Sequence, residues 1–169
     1  MSRSSRAAGF TLMELMVTLA IIALLSSVAI PAFVGYLKKA KSAEATSLLQ
    51  KLYAGSRIYY LENRQFPEAA AITPALGTCC ISGGDKCAPL ASQWTDATWV
   101  ALQFSVDDPH YYVYQYTTDD VRTNFYVRAF GDLDCDGEFS TFQMMGEINS
   151  QYADGPAGTA SIYKIKERE

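Results

Sequence analysis

The stretch that decides the fold is Gly9-Phe10-Thr11-Leu12-Met13-Glu14-Leu15-Met16-Val17-Thr18, continued by the apolar run through Ile30, Pro31 and Phe33-Val34. Between Phe10 and Val34 it carries one charge, Glu14. About 20 consecutive apolar residues are what a bilayer crossing requires. Ahead of the run, residues 1–9 hold Arg3 and Arg6 and no acid. Positive charge there keeps an N-terminus on the cytoplasmic side. Most charged residues follow Tyr36, so the averages over 169 residues, 49% apolar and 19% charged, conceal two unlike halves. They exclude a purely soluble monomer and a disordered chain. A net charge of −4 leaves no basic stripe to neutralise phosphates, and nucleic acid is not an expected partner.

Two ordinary readings of the apolar run compete. A cleavable secretory signal would have its small-x-small site at Ser27-Val28-Ala29. For that reading the run is long, and Glu14 is a costly residue inside it. A plain membrane anchor leaves Glu14 without a role. An ionisable residue at membrane depth asks for a partner.

Gly9-Phe10, Glu14 and Pro31 together resemble the class III signal of type IV pilins and pseudopilins. The shared features are a short basic leader, Gly-Phe, a glutamate at the fifth mature position and a proline at the twenty-second. The resemblance covers the first third of the chain. It implies that a prepilin peptidase cuts after Gly9 and that the new N-terminus, Phe10, is N-methylated. It implies also that in a filament Glu14 meets the amine of a neighbouring subunit's Phe10, since a buried carboxylate stays ionised only when compensated. A carboxyl held protonated in lipid is the alternative state for Glu14. Loss of the leader removes Arg3 and Arg6, leaving 12 Lys+Arg against 18 acids and a formal charge of −6. The implied life history is a single inner-membrane pass with a periplasmic head, then an extracellular pilus filament serving motility and adhesion. The implied partners are other pilin subunits, prepilin peptidase, the inner-membrane pilus assembly machinery and the lipid bilayer before assembly.

Beyond Pro31 a helical period continues. Leu37, Lys41, Ala45, Leu48, Leu52, Ser56 and Tyr59 recur every three or four residues, widened by Leu49 and Tyr53, with Lys38, Lys39, Glu44, Gln50, Lys51 and Arg57 mostly on other faces. The pattern predicts one helix from Phe10 to Asn63, about 80 Å long. Pro31 should kink it and Gly35 loosen the same turn. Gly55 should let another backbone approach. The chain then reads as strands at Tyr111–Thr117, Phe125–Phe130, Phe139–Met145 and Ala160–Ile165, the last after the Asp154-Gly155-Pro156-Ala157-Gly158 loop. Residues from Pro67 to Val106 read as irregular, with a short strand near Trp99–Phe104. The expected fold is therefore α+β: a long kinked N-terminal helix packed on a small antiparallel sheet head, the pilin fold. Its parts are a cleaved leader (1–9), a membrane and filament-core half-helix (10–35), an amphipathic half-helix (36–66) and a head with disulfide loops (67–169).

Cys79, Cys80, Cys87 and Cys135 lie in the part expected to face an oxidising compartment, where an even count favours disulfides. A bond between adjacent Cys79 and Cys80 would be strained. One of the two should close the Gly83-Gly84 loop to Cys87 and the other reach Cys135; which does which stays open. Zinc is the alternative, but no CxxC is present and His110 is the single histidine.

Asp132-Leu133-Asp134-Cys135-Asp136-Gly137-Glu138-Phe139-Ser140 resembles the calcium loop of an EF-hand. Asp132, Asp134 and Asp136 fit the first three ligand positions, Glu138 offers a carbonyl and Ser140 sits at the ninth. Calcium is the one cofactor this suggests. Gln143 stands where the bidentate glutamate belongs, and the flanks read as strands. A β-hairpin turned by Asp and Gly is the alternative.

His110 beside Asp107 and Asp108 lacks an evident nucleophile and orienting partner, so no enzyme is expected. The tyrosines read as sheet packing. Three functional readings follow: a type IV pilus subunit, a pseudopilin of a type II secretion system, and a membrane-tethered periplasmic binding module that never polymerises. A tether needs neither Gly9-Phe10 nor Glu14.

Overall fold

The computed structural model describes residues 9–81, 85–148 and 161–167. Arg3 and Arg6 of the leader, the Gly83-Gly84 turn and the Asp154–Gly158 loop lie outside the described residues. The chain divides into two compact units, one up to Leu37 and one from Lys38 onward.

Helix α1 runs from Leu12 to Asn63 and passes through Pro31 and Gly35 without interruption. Pro31 offers no N–H to the carbonyl four residues back, so the helix loses one rung there. In the first unit no part of the apolar window is buried, although its mean hydropathy is 2.4 and its length is enough to cross a membrane. Phe10 is 80% exposed and Leu24 72%. A helix apolar all round is built for a covered environment.

In the second unit, Ser42, Ala45, Leu49, Leu52 and Ser56 of α1 are buried. The stripe thus sits slightly rotated from the expected one: Ser42 replaces Lys41, and Leu48 is only half-buried. It packs on a five-stranded antiparallel sheet in the order β1-β2-β3-β4-β5. The strands are β1 (Ala70–Thr73), β2 (Tyr112–Thr118), β3 (Asn124–Gly131), β4 (Ser140–Glu147) and β5 (Tyr163–Ile165). Alternation sets the two faces. On β3, Phe125, Val127 and Ala129 point to the helix; on β4, Phe142 and Met144 do so, with Ala129 opposite Phe142 and Val127 opposite Met144. The other face is covered locally by the disulfide segment, where Cys79 and Cys87 pack with Val113, Ile72 and Phe130.

Two sequence expectations are corrected. The strand expected near Trp99–Phe104 is a helix, α3 (Ala97–Ala101), because the Asp96 side chain caps the Thr98 N–H at 2.9 Å. Trp99 is buried there against Trp94 and Phe104. The stretch from Pro67 to Val106 is not simply irregular, since it holds β1, the short helix α2 (Thr78–Ile81), a 3-10 turn (Ala91–Trp94) and α3. Edge strand β1 escaped the period-2 reading because only Ala70 of its four residues is buried. Of the last expected strand the described residues hold Tyr163–Ile165, and Ala160 lies outside them. Gly55 does admit a backbone: a Cβ there would stand 2.7 Å from the Leu102 carbonyl oxygen.

Candidate functional site

At the N-terminus, Thr11 precedes the first helical residue and Glu14 lies in the first turn. The Thr11 N–H and hydroxyl both donate to Glu14 Oε2 at 2.8 Å, and the Glu14 N–H donates back to Thr11 Oγ1 at 3.2 Å. This is a reciprocal capping box, which satisfies helix-end donors that otherwise lack partners. Thr-x-x-Glu is readable at Thr11–Glu14, yet the helix was expected to start one residue before it, at Phe10. Glu14 therefore has an intramolecular task that the expected charge pairing did not include.

The link between β3 and β4 is the aspartate turn. Asp132 is 7% exposed. Its carboxylate accepts the Asp136 N–H at 3.2 Å and the Gly137 N–H at 2.9 Å, while Asp136 accepts the Glu138 N–H at 2.8 Å. Asp134 pairs with Lys38 of α1 at 2.6 Å, and Glu138 pairs with Lys166. Gly137 holds φ at +92°, which a residue with a Cβ rarely adopts. One oxygen from each of Asp132, Asp134 and Asp136 lies within 4.8 Å of the others.

The remaining members of the EF-hand pattern serve the sheet. Ser140 is fully buried at the start of β4 and its hydroxyl donates to the Gly131 carbonyl at 2.8 Å. Gln143 accepts from Arg128 Nε at 2.7 Å. An extended strand carries these residues along the sheet, whereas an EF-hand uses a helix to bring its twelfth residue back to the ion. Backbone donors and Lys38 already hold the turn's carboxylates.

Two disulfides tie this region together. Cys79 bonds Cys87, and Cys80 bonds Cys135 inside the aspartate turn. Adjacent cysteines on α2 thus anchor one bond to the outer face of the sheet and another to the β3–β4 turn.

Two acidic residues outside the expected sites are structural. Glu44, grouped with the residues mostly off the apolar stripe, accepts hydrogen bonds from the Tyr111 N–H at 3.0 Å, the Tyr112 N–H at 3.3 Å and the Tyr114 hydroxyl at 3.4 Å. Strand β1 pairs with β2 only at Tyr116 and Tyr114, so the N–H groups before Tyr114 lie beyond its reach. The α1 carboxylate supplies their acceptor. Burial raises the Glu44 pKa above its ordinary value of 4.5, more than these donors lower it. Asp119 accepts from Thr123 and Asn124 in the β2–β3 turn, and those bonds bring its pKa down to about 2. His110 is buried, its Nδ1 3.0 Å from the Asp108 carbonyl oxygen, and burial lowers its pKa. Asp107 and Asp108 are exposed, so His110 is part of the packing rather than one of a surface trio.

The family described as "Prokaryotic N-terminal methylation motif" matches residues 4–30. The chain is 37% identical over 62 residues to the "Type IV major pilin protein PilA" of Myxococcus xanthus, covering 37% of this chain and 28% of that protein. It is 40% identical over 60 residues to the "Type IV major pilin protein PilE1" of Neisseria gonorrhoeae, covering 36% of each. A "Fimbrial protein" of Dichelobacter nodosus is 34% identical over 104 residues, covering 60% of this chain and 61% of that one. The chain therefore spans about a third of the length of the first two relatives. Gly9-Phe10 and Glu14 thus lead a long apolar helix into an antiparallel α+β head, and over its N-terminal part the chain carries the N-terminal methylation motif and is similar to type IV pilins and fimbrial proteins.

Proposed function

We propose that the chain is a subunit of a cell-surface type IV pilus, cut after Gly9, N-methylated on Phe10, held in the inner membrane and then assembled with other pilin subunits. The observation that carries this reading is the apolar half of α1, long enough to span a bilayer and with no part of its apolar window buried among the described residues. That surface requires lipid first and other helices later, and a filament core supplies the second without exposing it to water. Glu14 keeps its cap with Thr11 and in addition meets the Phe10 amine of a neighbouring subunit, which sets the axial register. Pro31 and Gly35 provide the bend that lets the helix pack in the filament. The head stays in the periplasm until assembly and afterwards faces the medium, where motility and adhesion are exercised. The names of the relatives, pilins and fimbrial proteins, support a pilus over a secretion pseudopilus.

The test is mechanical shearing of cells that carry the protein. The reading expects the chain in the sheared filament fraction and expects Gly9→Trp to retain it, with its leader, in the inner membrane. Recovery of the native chain solely in membranes, with none in filaments, would favour the tethered binding module.

A further inference from the structure

The two disulfides start from neighbouring cysteines yet differ in access. Cys79 and Cys87 are 6% and 1% exposed, whereas Cys80 is half-buried and Cys135 is exposed. Thiol–disulfide exchange needs an attacking thiolate to reach a sulfur, so the Cys80–Cys135 bond is the one that opens first. Oxygen donors surround it. The two sulfurs and an Asp132 carboxylate oxygen lie within 4.8 Å of one another, and Asp132 belongs also to the group with Asp134 and Asp136. Asp85 Oδ1 stands 3.8 Å from Cys135 Sγ. The Asp136 and Gly137 N–H groups hold Asp132 in place. Two thiolates and a carboxylate within such a span are donors for a thiophilic divalent cation, with metal–sulfur bonds of about 2.3 Å and metal–oxygen bonds of about 2.0–2.2 Å. A closed disulfide removes both sulfurs from that set and leaves oxygen alone, which suits a different class of ion.

We propose that Cys80, Cys135 and Asp132 form a redox-gated site for a thiophilic divalent cation of the zinc type, available when the Cys80–Cys135 bond is open. A thiolate of a dithiol reductant attacks Cys135 Sγ, the S–S bond breaks and Cys80 leaves as a thiolate. The reductant's second thiol then displaces Cys135 and closes the reductant's own disulfide, so two electrons pass to the protein pair. The cation takes both thiolates, and the two thiol protons go to solvent. Oxidation reverses the sequence and expels the ion. A newly made chain, its cysteines not yet oxidised, is in the receptive state without any reductant.

The experiment uses the full chain in detergent micelles. It is treated with limiting dithiothreitol, freed of reductant under inert gas, and its thiols are mapped. Free thiols at Cys80 and Cys135, with Cys79–Cys87 intact, are expected; opening of Cys79–Cys87 first contradicts the proposal. Titration with cadmium, as a spectroscopic substitute for zinc, should then produce a thiolate-to-metal charge-transfer band saturating at one ion per chain. Zinc should compete with it and magnesium should not. The band should be absent from oxidised protein and from Cys135→Ser. Asp132→Asn should weaken binding about tenfold or more, since even an outer-shell partner is worth that much. A reduced pair that gives no band, a band that persists in Cys135→Ser, or full affinity in Asp132→Asn would each overturn the proposal. If Asp132→Asn does not fold, the reduced native chain against Cys135→Ser decides alone.

Discussion

Glu14 and Glu44 show how one carboxylate changes meaning with its surroundings. Glu14 receives the Thr11 N–H and hydroxyl and is also the residue proposed to neutralise a neighbour's amine. The two tasks separate in Glu14→Gln, because glutamine completes a capping box as glutamate does but carries no charge. The variant should insert into the membrane and be processed normally, yet its share of sheared filaments should fall at least severalfold in a quantitative blot. Filament incorporation equal to the native chain would assign Glu14 to the cap alone. Glu44 is half-buried on the head, and desolvation raises its pKa above 4.5. In that case the folded state holds the proton more tightly than the unfolded state. Its contribution is therefore full below the ordinary value and is lost as pH rises through the raised one. Melting curves of the full chain should show Glu44→Gln flattening this decline, since glutamine keeps an acceptor for Tyr111 and does not titrate. Glu44→Ala should instead cost about 1–3 kcal/mol at every pH, because the Tyr111 and Tyr112 N–H groups lose their acceptor. Glu44 was not legible in the sequence for a plain reason. Helical spacing ranks faces by hydropathy, while the need for an acceptor arises from how far β1 extends along β2.

Among the elements, those with a strong period were readable and those held by single contacts were not. The aromatic and β-branched runs of β2, β3 and β4 fall within a residue or two of their expected bounds, as such dense alternation should. Helix α3 was misread as a strand because Thr98, Trp99 and Val100 have strand-like propensity, while one Asp96 cap and the burial of Trp99 decide the conformation. The aspartate turn was legible as a turn with glycine at its sharp point. Its three aspartates do gather, with one oxygen of each within 4.8 Å of the others, while Ser140 and Gln143 make their hydrogen bonds within the sheet. The cysteine count pointed to two bonds and left the choice between Cys79 and Cys80 to the geometry of α2. Gly55 was read correctly as a close approach, and that contact yields a signed prediction. Gly55→Ala gains about 1 kcal/mol of helix propensity. It also places a methyl 2.7 Å from the Leu102 carbonyl oxygen, and overpacking of this kind costs typically about 1–3 kcal/mol. The clash involves backbone and should win, so the melting midpoint of the full chain should fall. A rise would mean that the loop after α3 yields freely.

For the molecule as a whole, two units with opposite needs share one helix. Up to Leu37 the chain presents apolar side chains to its surroundings, and from Lys38 onward it buries them under a sheet. A self-contained head joined to a helix that cannot be left in water is what a subunit drawn from membrane into filament requires. Removing residues 1–9 takes away Arg3 and Arg6, shifts the formal charge from −4 to −6 and frees the Phe10 amine. Everything proposed for assembly depends on that one cut. The most direct test is intact-mass and N-terminal fragment analysis of the protein isolated from sheared surface filaments. The account predicts a chain that begins at Phe10 with one methyl group on its amine. A chain that retains Met1 through Gly9, or one that begins after Ala29, would contradict it.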